Sequence, residues 1–417
     1  MMNSLCILSS IRLTQFWPTA PKHVTLNSGM YKLKILQVEE VKPLSRLNPK
    51  ARSGHRMVAD DNGDLYSFGG FNVQVPDNDS ELSHDPEWQN HKPLFRELWK
   101  FNWRTKKWKK LKTTGDIPDK LVSHCMCYWN GKIIIYGGTG LPYGDNSSNR
   151  LTIYHIARNH WEIIEPLTDP SRSPVEMYGQ ACVCDDQRGE VYIVGGTNGG
   201  QYSLDVHKFN LYTRKWTVLH KSTEAGYEPG CRYRHEIALH NNKIYLFGGS
   251  TSSTYYGFAE LPVFDLETHD WSYCKTHPHL KQGKGLYPSE RKCHSLGVIG
   301  SDCYVCGGTN GRNVCSDIWH INLDELKWTL LVECIPYPVY FHAAAISLNG
   351  RLTIFGGVDN IAGDSRNNKL TTIWLKIPSL KNICLSAVSY YVKNGILDSQ
   401  RCRTTGLKEA FEVADIT

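Results

Sequence analysis

No run of this 417-residue chain approaches the ~20 consecutive apolar residues of a membrane-spanning helix. No block of one charge sign stands out either. The net charge of +6 is spread along the chain, which leaves nucleic acid without an electrostatic footprint. A phosphate-cradling glycine loop, a nucleophile motif and a metal-ligand spacing are all missing. The 14 cysteines are irregularly spaced, and many fall in apolar runs such as Cys125-Met-Cys127 and Cys182-Val-Cys184. That pattern fits buried free thiols in a reducing compartment, not a disulfide framework. Cys303-Tyr-Val-Cys306 has no second pair near it, and structural zinc needs four ligands. No metal, no cofactor, no nucleic acid and no membrane partner is therefore expected. Residues 1–30 carry a short apolar patch without a basic start or a cleavage site, so they read as a leader, not an export signal. The expected location is cytoplasmic or nuclear.

Glycine is plentiful and periodic. A Gly-Gly pair ends a β-rich apolar run six times: LYSFGG, IIIYGG, VYIVGG, IYLFGG, CYVCGG and LTIFGG, at intervals of 49 to 68 residues. A tryptophan follows each of the first five pairs: Trp108, Trp161, Trp216, Trp271 and Trp328. Strand, di-glycine, loop, strand and tryptophan strand form one four-stranded unit. Such a unit cannot bury both faces alone, but a ring of them can. The spacing resembles the kelch repeat more than the shorter WD40 repeat, whose Gly-His and Trp-Asp signatures are absent. The expected fold is all-β: a six-bladed kelch β-propeller over residues 31–377, with a short helical tail over 378–417. The last repeat lacks its tryptophan strand. The alternating segment Tyr31-Lys-Leu-Lys-Ile-Leu-Gln37 is expected to supply that strand and close the ring. An insertion from Phe71 to Pro93 carries Asp77, Asp79, Glu81, Asp85 and Glu87 and reads as a solvated acidic loop.

An Arg-x-x-His pattern precedes three of the glycine-bearing strands: Arg52 to His55, Arg232 to His235 and Arg291 to His294. Two other repeats keep only the histidine (His124, His342), and one has Gln180. Histidines repeated in five units suggest a shared structural hydrogen bond. Arginines confined to some units suggest a site. If they converge on the central hollow, they would bind an anion, since guanidinium recognises carboxylate bidentately. Arg234 is a further candidate. Ser250 follows one di-glycine, and Tyr178, Tyr233 and Tyr340 lie near the same rim. Arg52, Arg232, Arg234, Arg291, Ser250, Tyr178, Tyr233 and Tyr340 are thus the expected site for a chain terminus. The alternative for each arginine is an inter-blade ion pair.

In the tail, Leu380, Ile383, Cys384, Ala387, Val388 and Tyr391 form a helical stripe after Pro378. Ser379-Leu380-x-x-x-Cys384-x-x-x-Val388 resembles the BC box, whose leucine inserts into elongin C. Leu380, Cys384 and Val388 are the expected elongin C contacts. No proline follows Pro378, where a cullin-2 box carries one, so the residues leave the choice of cullin open.

The segments ARSGHRMVADDNGDLYSFGG, PLFRELWKFN, YGGTGLPYG, YGQA, RYRHEIA, RKCHS, CGGTNG and PVYFHAAA span all six repeats, within residues 50–390. In them the chain resembles the kelch-repeat substrate receptors of cullin-2–elongin ubiquitin ligases. That resemblance implies a non-catalytic receptor with elongin B/C and cullin-2 as partners. It implies C-terminal degrons ending in small residues such as glycine or alanine as substrates, and a role in protein quality control. It also implies a link to stress-kinase signalling through a protein phosphatase. A ligase-independent scaffold for a phosphatase or the cytoskeleton is the alternative. A copper radical oxidase, known among kelch propellers, would need converging tyrosine and histidine ligands and secretion, and neither is expected here.

Overall fold

A computed structural model describes residues 35–223 and 228–379, together with residues 383, 384, 387, 388, 390 and 391. Six antiparallel sheets follow one another along the chain. The first blade contains Arg56–Ala59, Leu65–Phe68, Leu98–Asn102 and Lys107–Leu111. The first strands of successive blades touch in cyclic order, including the strand of the sixth blade, Ala343–Ile346, against Arg56–Ala59. The chain is a six-bladed β-propeller.

The sixth blade is completed by the strand Val38–Val41, antiparallel to Leu370–Trp374. The N-terminal region does close the ring, but later than the 31–37 expected. Residues 31–34 lie outside the described residues, and Leu36 has a left-handed backbone (φ 55°) that an extended strand cannot contain. Val38 and Val41 point to opposite faces of the strand. Val38 packs in the core between blades 5 and 6, and Val41 in the core between blades 6 and 1. The terminal strand thus serves both of its neighbours.

One apolar cluster fills each of the six interfaces. The repeated tryptophans are their largest members. Trp161 packs on Phe68 of the preceding blade at 5.0 Å, Trp216 on Tyr136 at 5.4 Å, and Trp108 on Phe355 at 5.0 Å. Each of those partners stands immediately before a di-glycine. Cys303 and Cys306 point to opposite faces of their strand, into different clusters.

The insertion in blade 1 is acidic and largely exposed, as expected, but it is more than a solvated loop. Its Leu82 and Trp88 form a small core with Phe95, just beyond it, and it carries a short helix, Pro86–His91, capped by Asp85. Its acids all meet bases: Asp79 and Glu81 meet Lys50, Asp77 meets Lys92, Asp85 meets Lys110, and Glu87 meets Arg96. The sequence showed the acids, but their bases lie mostly outside the segment.

Candidate functional site

The di-glycines weld the blades together around the axis. The second glycine of each pair donates its N–H to a carbonyl three residues before the next blade's histidine or glutamine. The series runs from Gly70 to Leu121 (2.7 Å) round to Gly357 to Arg52 (2.8 Å). The first glycine leaves room for that next blade's imidazole. A Cβ on Gly195 or Gly356 would lie 2.7 Å from Cε1 of His235 or His55. Burial pushes the imidazoles of His124, His235 and His342 down to about 3, and His55 and His294 well below their ordinary value. The expected shared hydrogen bond holds for His55, whose Nε2 is 3.2 Å from the Phe355 carbonyl. His235 faces the Val194 carbonyl, the counterpart of Phe355, and for His124, His294 and His342 neither ring nitrogen has a partner within hydrogen-bond distance among the described residues. Their common role is to fill the space beside the glycine.

A second closed ring lies nearer the mouth of the channel. The residue before each histidine or Gln180 is left-handed: Gly54 (φ 70°), Ser123 (61°), Gly179 (68°), Arg234 (59°), Cys293 (56°) and Phe341 (53°). Each N–H donates to the same position in the preceding blade, from Ser123 to Gly54 (2.9 Å) round to Gly54 to Phe341 (2.9 Å). These six positions frame the channel mouth. Arg234 brings the one guanidinium among them.

The three arginines of the Arg-x-x-His pattern do not converge on that mouth. Each folds back into its own blade and ties two backbone carbonyls. Arg52 donates to Lys50 and Gly69, Arg232 to Gly230 and Gly248, and Arg291 to Ser289 and Gly307. Arg52 then pairs with Glu97 at 2.5 Å, and Arg291 with Asp317 through two bonds of 2.6 and 3.0 Å. Both arginines are fully buried. Expected as substrate contacts, they are internal staples, because a carboxylate on the third strand of the same blade satisfies each of them. Arg232 has the same backbone bonds but no carboxylate among the described residues. Ser250 is also fully buried, and the hydroxyls of Thr197 and Thr309 hold their own loops.

Arg234 is different. It is 7% exposed, yet no carboxylate pairs with it among the described residues. Its Nη2 bonds the hydroxyl of Tyr143, and its buried Nε has no partner. Its guanidinium lies 4.4 Å from the ring centre of Phe341, 5.7 Å from Tyr233 and 5.9 Å from Tyr178. Burial lowers its pKa to about 10. Lys292 reaches the Tyr233 hydroxyl at 3.4 Å and sits over the rings of Tyr233 and Tyr255. On the far side, Arg366 stands over Phe71 and bonds the Ser53 hydroxyl. Tyr340, half-buried, lies tilted against Phe341, ring centres 5.2 Å apart. Below, the channel narrows to a cavity of about 20 Å³, room for a single water. At the wall of that cavity, Arg56 of blade 1 crosses to Glu236 of blade 4 at 2.6 Å.

Of the expected residues, Arg234, Tyr178, Tyr233 and Tyr340 gather at this mouth, and Arg52, Arg232, Arg291 and Ser250 do not. Tyr143, Lys292, Phe341 and Arg366 complete it. Lys292 and Phe341 occupy positions parallel to Tyr233 and Arg234 in their repeats, a signal that aligning the repeats would have exposed. Tyr143 and Arg366 arrive on long loops that carry no repeat signal. In the tail, Ile383, Cys384, Ala387, Val388, Tyr390 and Tyr391 are helical, and Cys384 is exposed. Leu380 lies outside the described residues.

A family model described as the KLHDC2/KLHL20/DRC7 Kelch-repeats domain matches residues 22–249 and 191–381. Kelch domain-containing protein 10 of Homo sapiens is 40% identical over 332 residues, covering 80% of this chain and 72% of the relative. Its Xenopus laevis counterpart is 39% identical over 339 residues, covering 81% and 79%. The Drosophila melanogaster protein named Kelch domain-containing protein 10 homolog is 32% identical over 383 residues, covering 87% and 61%.

Proposed function

The chain belongs to the kelch-repeat family that contains Kelch domain-containing protein 10, and from that premise we propose that it is the substrate-binding subunit of a cullin-2–elongin B/C ubiquitin ligase. The mouth of the propeller receives the C-terminus of the substrate, and the helical tail docks on elongin C through Leu380, Cys384 and Val388. The observation that carries this reading is Arg234, a buried cation at the mouth without a carboxylate of its own. A buried charge is costly until it is paired. A terminal carboxylate supplies the missing charge, and Nη1, which no described residue takes, supplies a donor for it. Tyr178, Tyr233 and Phe341 crowd the guanidinium, so residues just before the terminus have to be small. The narrow channel below keeps the bound chain on the surface instead of threading it. Lys292 and Arg366 add positive potential on either side.

Arg234→Gly is the informative variant. Blades 1 and 3 carry glycine at this left-handed position, so the backbone ring accommodates it. A peptide ending in Gly-Ala with a free carboxylate is expected to bind the full chain. Amidating the peptide, or using Arg234→Gly, should each weaken binding by about tenfold or more, the loss typical of a charge-assisted bond. Equal binding of acid and amide would overturn terminal capture. For the ligase half, Leu380→Ser should abolish co-purification of elongin B/C at an unchanged melting temperature. Retained co-purification would remove the BC-box assignment and leave a ligase-independent scaffold.

A further inference from the structure

Blades 1, 4 and 5 share the buried arginine, and two of them share its carboxylate. Counted back along the third strand from its paired residues, Glu97, Glu260 and Asp317 occupy one position. The residue two further on is Trp99 in blade 1 and Trp319 in blade 5. Their indole N–H groups donate to Glu97 at 2.6 Å and to Asp317 at 2.7 Å. Each tryptophan thereby holds its carboxylate turned inward, on the arginine. In blade 4 that residue is Pro262, which has no donor. Glu260 is exposed and makes no ion pair with Arg232.

Arg232 is left as a guanidinium that is 3% exposed. Its Nε and Nη1 are used by the carbonyls of Gly230 and Gly248, at 2.8 and 3.2 Å. Tyr256 lies flat against it, 3.4 Å from the ring centre to Cζ. The Nη2 edge, which takes the carboxylate in the other two blades, has no partner among the described residues. It borders a cavity of about 630 Å³ on the flank of blade 4, remote from the channel mouth in its lining residues. Tyr256, Phe258, Tyr273 and Tyr287 line that cavity with Arg232, and Lys275 stands there beside two carboxylates, Glu260 and Glu290, neither of which pairs with Arg232.

We propose that this flank cavity is a second binding site, which takes the carboxylate of an aspartate or glutamate side chain from a partner peptide onto Arg232. The donor edge is shaped for a carboxylate by its two counterparts in this same chain. The cavity is far larger than one carboxylate, and its aromatic lining suits the rest of a side chain and its flanking backbone. The site does not depend on the terminal-capture reading, because Arg234 takes no part in it.

The test uses the full chain and two short peptides, acetyl-Pro-Glu-Pro-amide and acetyl-Pro-Gln-Pro-amide. Both lack a terminal carboxylate, so capture at the channel mouth does not contribute. Chemical shifts or calorimetry should show the Glu peptide binding at least tenfold more tightly than the Gln peptide. Pro262→Trp restores the indole donor, so Glu260 should turn onto Arg232, abolishing peptide binding while the melting temperature holds or rises. Adding Glu260→Ala to Pro262→Trp should restore binding, since the internal competitor is gone. Equal binding of the two peptides, no binding of either, or full binding of the Glu peptide by Pro262→Trp would each overturn the proposal. Arg232→Lys, which keeps the charge but loses the planar fork, should weaken the Glu peptide at least fivefold. Unchanged binding there would also count against it.

Discussion

The buried imidazoles set how acid acts on this protein. His55, His124, His235, His294 and His342 all sit in the inter-blade ring with pKa values pushed down by burial, to about 3 where a value is defined. Unfolded histidine titrates near ~6.5. The folded value lies below the unfolded one, so unfolding takes up protons as the pH falls. Stability is therefore complete above about pH 6.5 and is lost progressively below it, by roughly 1.4 kcal/mol per pH unit for each histidine. Five together make the slope steep, and denaturant midpoints measured from pH 7 to pH 4.5 should fall sharply. Gln180 fills the same place in blade 3 and bonds the Met177 carbonyl. His124→Gln should therefore fold, and its stability should fall with pH less steeply by one proton's worth. An unchanged slope would show that His124 is not a proton-linked group.

Among the elements, the terminal strand Val38–Val41 has the most to do for its length. Each of its two valines belongs to a different inter-blade core, and its ladder with Leu370–Trp374 supplies the fourth strand of blade 6. Val38→Asp places an unpaired charge at a half-buried position, opposite Ile373 and against the core between blades 5 and 6. A loss of about 3 kcal/mol or more is expected, and it should appear as a lower midpoint for the whole propeller. A separate early transition confined to a minor fraction of the signal would mean the strand is an appendage. The blade 4 arginine shows how one residue alters an element. Where blades 1 and 5 have a tryptophan bonded to the carboxylate, blade 4 has a proline, and there the arginine has no carboxylate among the described residues and borders a cavity.

On the scale of the molecule, the ring is tied at its rim by backbone bonds and across its middle by charge. Arg56 and Glu236 stand 180 positions apart in sequence and bridge the channel between blades 1 and 4. Burial pushes the Glu236 carboxyl up, and Arg56 pulls it back. Glu236→Ala leaves the Arg56 charge without its partner and should cost roughly 3 kcal/mol. Replacing both, as Arg56→Met with Glu236→Met, should cost clearly less, because no charge is then left alone. A double-mutant cycle on thermal or urea unfolding checks the difference, and additive costs would mean the bridge is not formed.

Much of this was legible in the chain itself. The di-glycines, the tryptophans and the apolar runs before them determined six blades, because only a closed ring buries both faces of such sheets. The missing sixth tryptophan strand pointed to closure by the N-terminal region, although a left-handed Leu36 moved the strand to Val38–Val41. The histidines were expected to share one hydrogen bond, and the structure gives that bond to His55 while what all five share is burial beside a di-glycine. What the sequence could not decide was direction. Arg52, Arg232, Arg234 and Arg291 are equivalent as letters. The tertiary structure turns three of them into their own blades and one to the channel mouth. The reason is local: position three before the histidine faces the blade's carbonyls and a carboxylate on the third strand. Position one before it sits on a left-handed turn facing the axis. Likewise, an acidic insertion read alone looks solvated, and only folding brought lysines and an arginine from elsewhere to meet it. The repeat pattern determined the architecture through burial. Which charges stay unpaired, at Arg234 and at Arg232, was decided by partners that three-dimensional packing supplied or withheld.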